Sequence, residues 1–105
     1  MTAKEQLKIE VIACAESIEE AARGDYEGVA EYFDDTLDVE FIIGRNGEYR
    51  GARIALALGG PGIFFDTREG WVKGYWGSDY AEYHVKSFAV DSVDEYFAEM
   101  WNCRF

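Results

Sequence analysis

The sequence is poor in proline, cysteine, histidine and basic residues. It has one Pro, two Cys, one His and 10 Lys plus Arg against 21 Asp plus Glu in 105 residues. One proline and few low-complexity tracts leave no room for a linker, so a single domain over 1–105 is expected. Two cysteines, Cys14 and Cys103, cannot build a disulfide framework, and neither sits at CxxC or Cys/His spacing for zinc. A reduced, cytoplasmic setting is the default that follows. Long apolar runs are also missing: the longest are a few residues, broken by charge or glycine, which argues against a spanning helix and a secretory leader. The shortage of bases leaves a formal net charge of −11. That charge repels nucleic-acid phosphates and anionic membranes, so no direct nucleic-acid or membrane binding is expected. A partner drawn by long-range electrostatics should be basic.

What is present is enough for a packed core, since 49% of residues are hydrophobic and 16% aromatic. Residues 3–23 place Leu7, Val11, Cys14, Ala15, Ile18 and Ala22 on one helical face. Gly24 stands where a left-handed C-cap is wanted, and Asp25 then serves as N-cap of a second helix carrying Tyr26, Val29, Ala30, Phe33 and Leu37. From residue 38 the period becomes two. Val39, Phe41 and Ile43 lead to Asn46-Gly47, which predicts a two-residue type I′ turn that sets Arg45 opposite Glu48, Glu40 opposite Arg53 and Val39 opposite Ile54. Further strands are expected over Tyr49 to Leu58, Ile63 to Thr67, Trp71 to Trp76 and Tyr80 to Val85, separated by glycine-rich turns. A last helix runs from Ser87 to about Trp101, opened by Ser87 or by a Ser92/Glu95 capping box. The class is α+β: two N-terminal helices, an antiparallel meander of four to five strands and a C-terminal helix, with the helices packed on one sheet face.

The charge is unevenly distributed. Residues 1–44 hold 12 acids and 3 bases, net −9; residues 45–86 hold 5 and 6, net +1; residues 87–105 hold 4 and 1, net −3. Six acid–acid pairs stand four apart in the expected helices: Glu16/Glu20, Glu27/Glu31, Glu31/Asp35, Asp34/Asp38, Asp91/Glu95 and Glu95/Glu99. Each such pair costs about 0.2–0.5 kcal/mol, where an opposite-charge pair would gain as much. One reading is a solvated face that keeps the protein soluble. The other is a partner-binding surface made of Glu16, Glu20, Glu27, Glu31, Asp34, Asp35 and Asp38. Carboxylates repeating along a helix approximate the spacing of phosphates on a duplex.

Candidate chemistry is sparse. His84 is the sole histidine and lies in a strand, where an enzyme or ligand-binding reading would set it at a pocket mouth with Asp66 or Glu82. The acidic run 34–40 lacks calcium-loop spacing, and Gly59-Gly60-Pro61-Gly62 matches no phosphate-binding motif, so no metal and no cofactor is expected. Aromatics concentrate in the meander. Most should enter the core, while an outward set of Trp71, Tyr75, Trp76 and Tyr80 would form a second interface.

The stretch from Leu56 through Gly59-Gly60-Pro61-Gly62-Ile63-Phe64-Phe65-Asp66-Thr67, with Val72-Lys73-Gly74-Tyr75-Trp76-Gly77 and Val93-Asp94-Glu95-Tyr96-Phe97, resembles small acidic proteins of gut Firmicutes mobile elements. That resemblance covers the C-terminal half and carries no catalytic residue over; it implies a role against host defence or in element maintenance. The expected function is therefore a non-enzymatic acidic binding protein, a nucleic-acid-mimicking inhibitor of a basic nuclease or host-defence complex of anti-restriction or anti-CRISPR type. Two alternatives stand beside it: a small enzyme or ligand-binding domain near His84, and an immunity-type or homodimeric protein docking through the aromatic sheet face.

Overall fold

A computed structural model describes residues 1–36 and 38–104. The first helix, α1 (Ala3–Arg23), begins at Thr2, whose Oγ1 accepts the Glu5 amide at 3.1 Å. It is followed by α2 (Asp25–Phe33), β1 (Asp38–Ile43), β2 (Tyr49–Ala57), β3 (Gly62–Asp66), β4 (Trp71–Trp76), β5 (Asp79–His84) and α3 (Ser87–Asn102). The five strands form one antiparallel sheet in sequence order, β1-β2-β3-β4-β5. The expected α+β architecture and its meander are thus observed.

All three helices lie on one face of the sheet. α1 runs along β4 and β5, α3 covers β2, and α2 packs against both of the other helices. Their apolar stripes meet alternate strand residues: Leu7, Val11, Ile18, Phe33, Val93 and Phe97 from the helices enclose Ala52, Ile54, Phe65 and Val72 from the sheet, all nearly inaccessible to water. Burying each of the larger side chains stabilises the fold by about 1.5–3 kcal/mol. Gly74 allows α1 its close seat, because a Cβ there would come within 2.6 Å of Val11 Cγ2 and 2.9 Å of Leu7 Cδ1. Among the described residues no helix is long and apolar enough to cross a membrane.

Several local expectations are corrected. Gly24 is not left-handed (φ −85°, ψ 19°), and Asp25, at φ 55°, carries the positive angle and is the first residue of α2 rather than its cap. Glycine is required here for proximity instead: a Cβ on Gly28 would stand 2.2 Å from the Ala21 carbonyl oxygen, so Gly28 lets α2 cross hard against the end of α1. α2 stops at Phe33, earlier than expected, and Leu37 lies outside the described residues.

The β1–β2 connection is a three-residue loop, Arg45 to Gly47, rather than a two-residue turn. The Gly44 amide donates to the Glu48 carbonyl (2.8 Å), the Gly47 amide to that of Gly44 (3.0 Å), and in this loop Gly47 alone has positive φ (86°). Asn46 Oδ1 accepts the Glu48 amide at 3.3 Å, which favours this longer loop. The pairing shifts by one residue between Ile42 and Ile43, so Glu48 pairs with Arg50 (2.9 Å) instead of facing Arg45. Beyond the shift, Val39 opposite Ile54 and Glu40 opposite Arg53 stand as expected.

Neither expected serine caps α3. Lys86 is the N-cap residue and gives no side-chain cap; Ser92 lies inside the helix, its Oγ donating to the Phe88 carbonyl at 3.0 Å. The Lys86 amide is instead taken up by Glu19 Oε2 of α1, 3.0 Å away.

Candidate functional site

Two surfaces with different chemistry emerge from this architecture. The first is the outer side of the helices. Glu16 and Glu20 on α1 and Glu27 and Glu31 on α2 are all exposed. The close crossing permitted by Gly28 brings Glu20 and Glu31 to one shallow groove of about 540 Å³, which Ser17, Ala21, Gly24, Gly28 and Tyr32 also line. Among the described residues, the only ion pair on this surface is Glu20 with Arg23, at 3.1 Å and open to solvent. Burial, and after it the neighbouring Cys14 thiol, pushes the Tyr32 hydroxyl up to about 12, so this ring meets the groove as a neutral phenol.

The remaining predicted acids are dispersed. Asp34 is the C-cap residue of α2 and Asp35 follows in the turn, where it lines a separate depression of about 240 Å³ with Cys14, Tyr32 and Thr36. Asp38 opens β1, and strand alternation sets it with Glu40 on the sheet face away from the helices. Glu31/Asp35 and Asp34/Asp38 are therefore not helical neighbours, and the array of carboxylates is shorter than its sequence spacing implies. Cys14 itself is half-buried, and burial together with the Glu10 carboxylate pushes its thiol up, away from the reactive thiolate.

The second surface is the sheet face opposite the helices. Its residues fall into rows across the strands: Glu40, Arg53, Asp66, Trp71 and His84 in one, Phe64, Lys73 and Glu82 in the next, and Gly62, Tyr75 and Tyr80 in a third. Arg53 lies over the Phe64 ring (3.9 Å) and reaches Glu40 (3.9 Å), Tyr75 packs against Tyr80 with ring centres 5.1 Å apart, and the Tyr80 hydroxyl donates to Glu82. Of the four predicted aromatics, Trp71, Tyr75 and Tyr80 share this face. Trp76 is one residue out of phase and belongs to the other side, near Gly60.

His84 lies on the open face with its ring edge-on to Trp71, centroids 4.9 Å apart. Trp71 separates it from Asp66 in the row, and Asp66 Oδ1 already accepts the Arg68 and Glu69 amides (2.8 and 3.2 Å). Among the described residues no hydrogen bond joins His84 to a carboxylate. No group of three His, Cys, Asp or Glu among them is placed to hold a metal ion.

Two carboxylates outside the predicted sites are built into the fold. Glu19 is only 6% exposed and holds the entry to α3, as described above. Asp94 Oδ1 accepts from both Tyr49 Oη and Thr67 Oγ1 at 2.8 Å, while Thr67 Oγ1 accepts the Ala52 amide at 2.9 Å, so one carboxylate ties α3 to β2 and to the β3–β4 turn. Burial, with Asp94 adding to it, holds the Tyr49 hydroxyl well above the usual phenol range. The signal lay in spacing: Glu19 is four from Ala15 and three from Ala22, and Asp94 is four from Val90 and three from Phe97, so both fall on apolar stripes.

No family model matches the chain, and no curated protein or solved structure matches it either.

Proposed function

We propose that the protein is a non-enzymatic acidic binding protein whose helical surface captures a basic protein partner. The observation that supports this most directly is the groove at the α1–α2 crossing, where Glu20 and Glu31 from different helices meet over a floor of Ala21, Gly24 and Gly28. A lysine or arginine of the partner would lay its aliphatic stem along that small-residue floor and against Tyr32, with its cationic head between the carboxylates. Glu16 and Glu27 extend the negative field on either side. In the finer form of this reading the partner is a nucleic-acid enzyme or host-defence complex, and the acidic helices occupy its phosphate-binding groove as a mimic of nucleic acid.

The test is capture from host lysate by the immobilised protein, compared with the variant carrying Glu16→Lys, Glu20→Lys, Glu27→Lys and Glu31→Lys. A nucleic-acid enzyme retained by the natural protein, released by added duplex DNA or by salt, and lost with the variant is the expected result. Equal retention by both proteins, or retention indifferent to duplex DNA, would overturn the binding or the mimicry respectively.

A further inference from the structure

The acidic groove at the α1–α2 crossing does not end at Tyr32. The same ring also lines the depression of about 240 Å³ beyond it, with Cys14, Asp35 and Thr36. Both hollows lie along one flank of α1, on which Glu10, Cys14, Ser17 and Ala21 follow one another at three- and four-residue steps. We propose that the two hollows together take a short extended segment of the partner that carries two basic residues three positions apart, one seated on each side of Tyr32. Such recognition rests on the basic-partner reading above and names the kind of segment that is captured.

Charge selects what enters the second hollow. Asp35 stands exposed in its lining and, among the described residues, no lysine or arginine lines either hollow. Glu10 supplies an independent observation: its Oε2 is closed to water and has no hydrogen-bond partner among the described residues. A buried carboxylate oxygen ordinarily has a donor. Glu10 stands one helical turn before Cys14 and, after burial, is what pushes the Cys14 thiol up, so its uncompensated field reaches the wall of the hollow. The Cys14 thiol and the Tyr32 phenol are both held neutral there. An entering group therefore meets carboxylates as the only charges, and a cation is the group that answers them.

Spacing selects the form of the segment. Cys14 in one hollow and Ala21 in the other are two helical turns apart, about 10 Å along the axis. A polyproline-II segment advances about 3.1 Å per residue and returns to the same face every third residue, so side chains three apart point the same way about 9 Å apart. In strand geometry the second would be turned away. A polyproline-II backbone also makes no hydrogen bonds of its own, and each hollow offers it one hydroxyl, Ser17 in the first and Thr36 in the second. A helix, with its backbone groups already paired, has no use for them. Tyr32, 36% exposed between the hollows, packs against the two residues that pass over it.

Fluorescence anisotropy on the full chain, at physiological salt, tests this with labelled glycine-based peptides that carry one arginine, two adjacent arginines, or two in the order Arg-Gly-Gly-Arg. The last should bind about tenfold or more tighter than the adjacent pair of equal charge, because its second arginine binds as an intramolecular event. Asp35→Asn with Glu10→Gln should remove that gain while circular dichroism stays that of the natural protein. Glu95→Gln with Glu99→Gln, which removes as much charge from α3, should keep it. Equal binding of the two-arginine peptides overturns the proposal, as does a gain that survives the Asp35 and Glu10 substitutions. One-arginine binding that depends on Glu20 and Glu31 but gains nothing from a second arginine overturns this proposal alone. So does capture of a nucleic-acid enzyme from lysate by a protein that binds none of the peptides, whereas spaced-peptide binding without any such capture overturns the finer form of the partner reading instead.

Discussion

The helical layer and the sheet differ less in how many charges they carry than in how those charges are arranged. On the strands and their turns acids and bases are interleaved: Glu40 with Arg53 at 3.9 Å, Glu48 with Arg50 at 2.9 Å, Glu69 with Lys73 at 2.8 Å. Along the helices Glu16, Glu20, Glu27 and Glu31 stack with a single arginine among them. A sheet in which most bases are matched by acids and a helical surface made of repeated repulsions belong to one chain, so most of the net charge belongs to a particular layer. The helical acids divide again. Exposed ones make the external field, and Glu19 and Asp94 reach inward to hold backbone and hydroxyl groups.

The largest expected effect comes from parting the two layers. Phe65 has no exposure and stands on β3 where helices and sheet meet. Phe65→Ala should cost about 3–5 kcal/mol, through lost transfer energy and the cavity left behind. Urea denaturation with the mean residue ellipticity as readout would show it. A loss under about 1 kcal/mol, close to what surface substitutions cost, would mean the layers are not held by this seam.

Next in size is the contrast between two kinds of acid on one helix. Asp94→Ala strands the Tyr49 and Thr67 hydroxyls and should cost about 1–3 kcal/mol, with Asp94→Asn recovering part of it because the amide oxygen still accepts. Glu95→Ala, one residue along and exposed, removes two like-charge contacts and should leave stability equal or higher. Equal losses at the two positions would erase the distinction between anchoring and field-forming carboxylates.

That distinction also explains what the sequence disclosed. Periodicity of 3.6 and 2 located three helices and five strands, because Leu7, Val11 and Ile18, or Ile63 and Phe65, repeat at the spacing that buries them. The register of β1 on β2 followed from opposite-charge and aliphatic pairing, and it held at Glu40/Arg53. Ends and caps were less legible. They are decided by contacts far apart in the chain, such as Glu19 with the Lys86 amide, or by close approach, as at Gly28. The acidic surface was legible as composition but not as geometry, since α2 ending at Phe33 sends Asp38 to the opposite side of the molecule. The pairing of Glu20 with Glu31 in one groove required the crossing angle of two helices, which spacing along the chain does not encode.

A pH titration sharpens the comparison further, because tyrosines of both layers resist ionisation. Tyr32 in the helical layer is pushed up to about 12 by burial, and Tyr80 in the sheet is raised by burial and then by its bond to Glu82. The unfolded chain releases these protons near pH 10 while the folded chain still holds them. The tyrosine contribution to stability should therefore be constant below about pH 10 and fall as pH rises from there toward 12. Urea midpoints across that interval, with the phenolate absorbance followed in parallel, measure the slope; Tyr32→Phe should reduce it. A flat profile through the interval would mean that the folded tyrosines ionise like free ones.

The smallest effect is the most direct comparison of the two layers, since one substitution should have opposite signs in them. Glu16→Lys turns the Glu16/Glu20 repulsion on α1 into an attraction and should raise stability by about 0.5 kcal/mol. Glu82→Lys faces Lys73 across β4 and β5, removes the acceptor of the Tyr80 hydroxyl, and should lower stability by a comparable amount, on the order of 0.2–1 kcal/mol. Screening separates charge from packing in this pair. At molar salt the Debye length falls to about 3 Å, so the gain at position 16 should vanish, while the part of the loss at position 82 that comes from the tyrosine contact persists. Parallel urea titrations at low and high salt resolve both. If the two substitutions shift stability in the same direction, the helices and the sheet do not differ in how they handle charge.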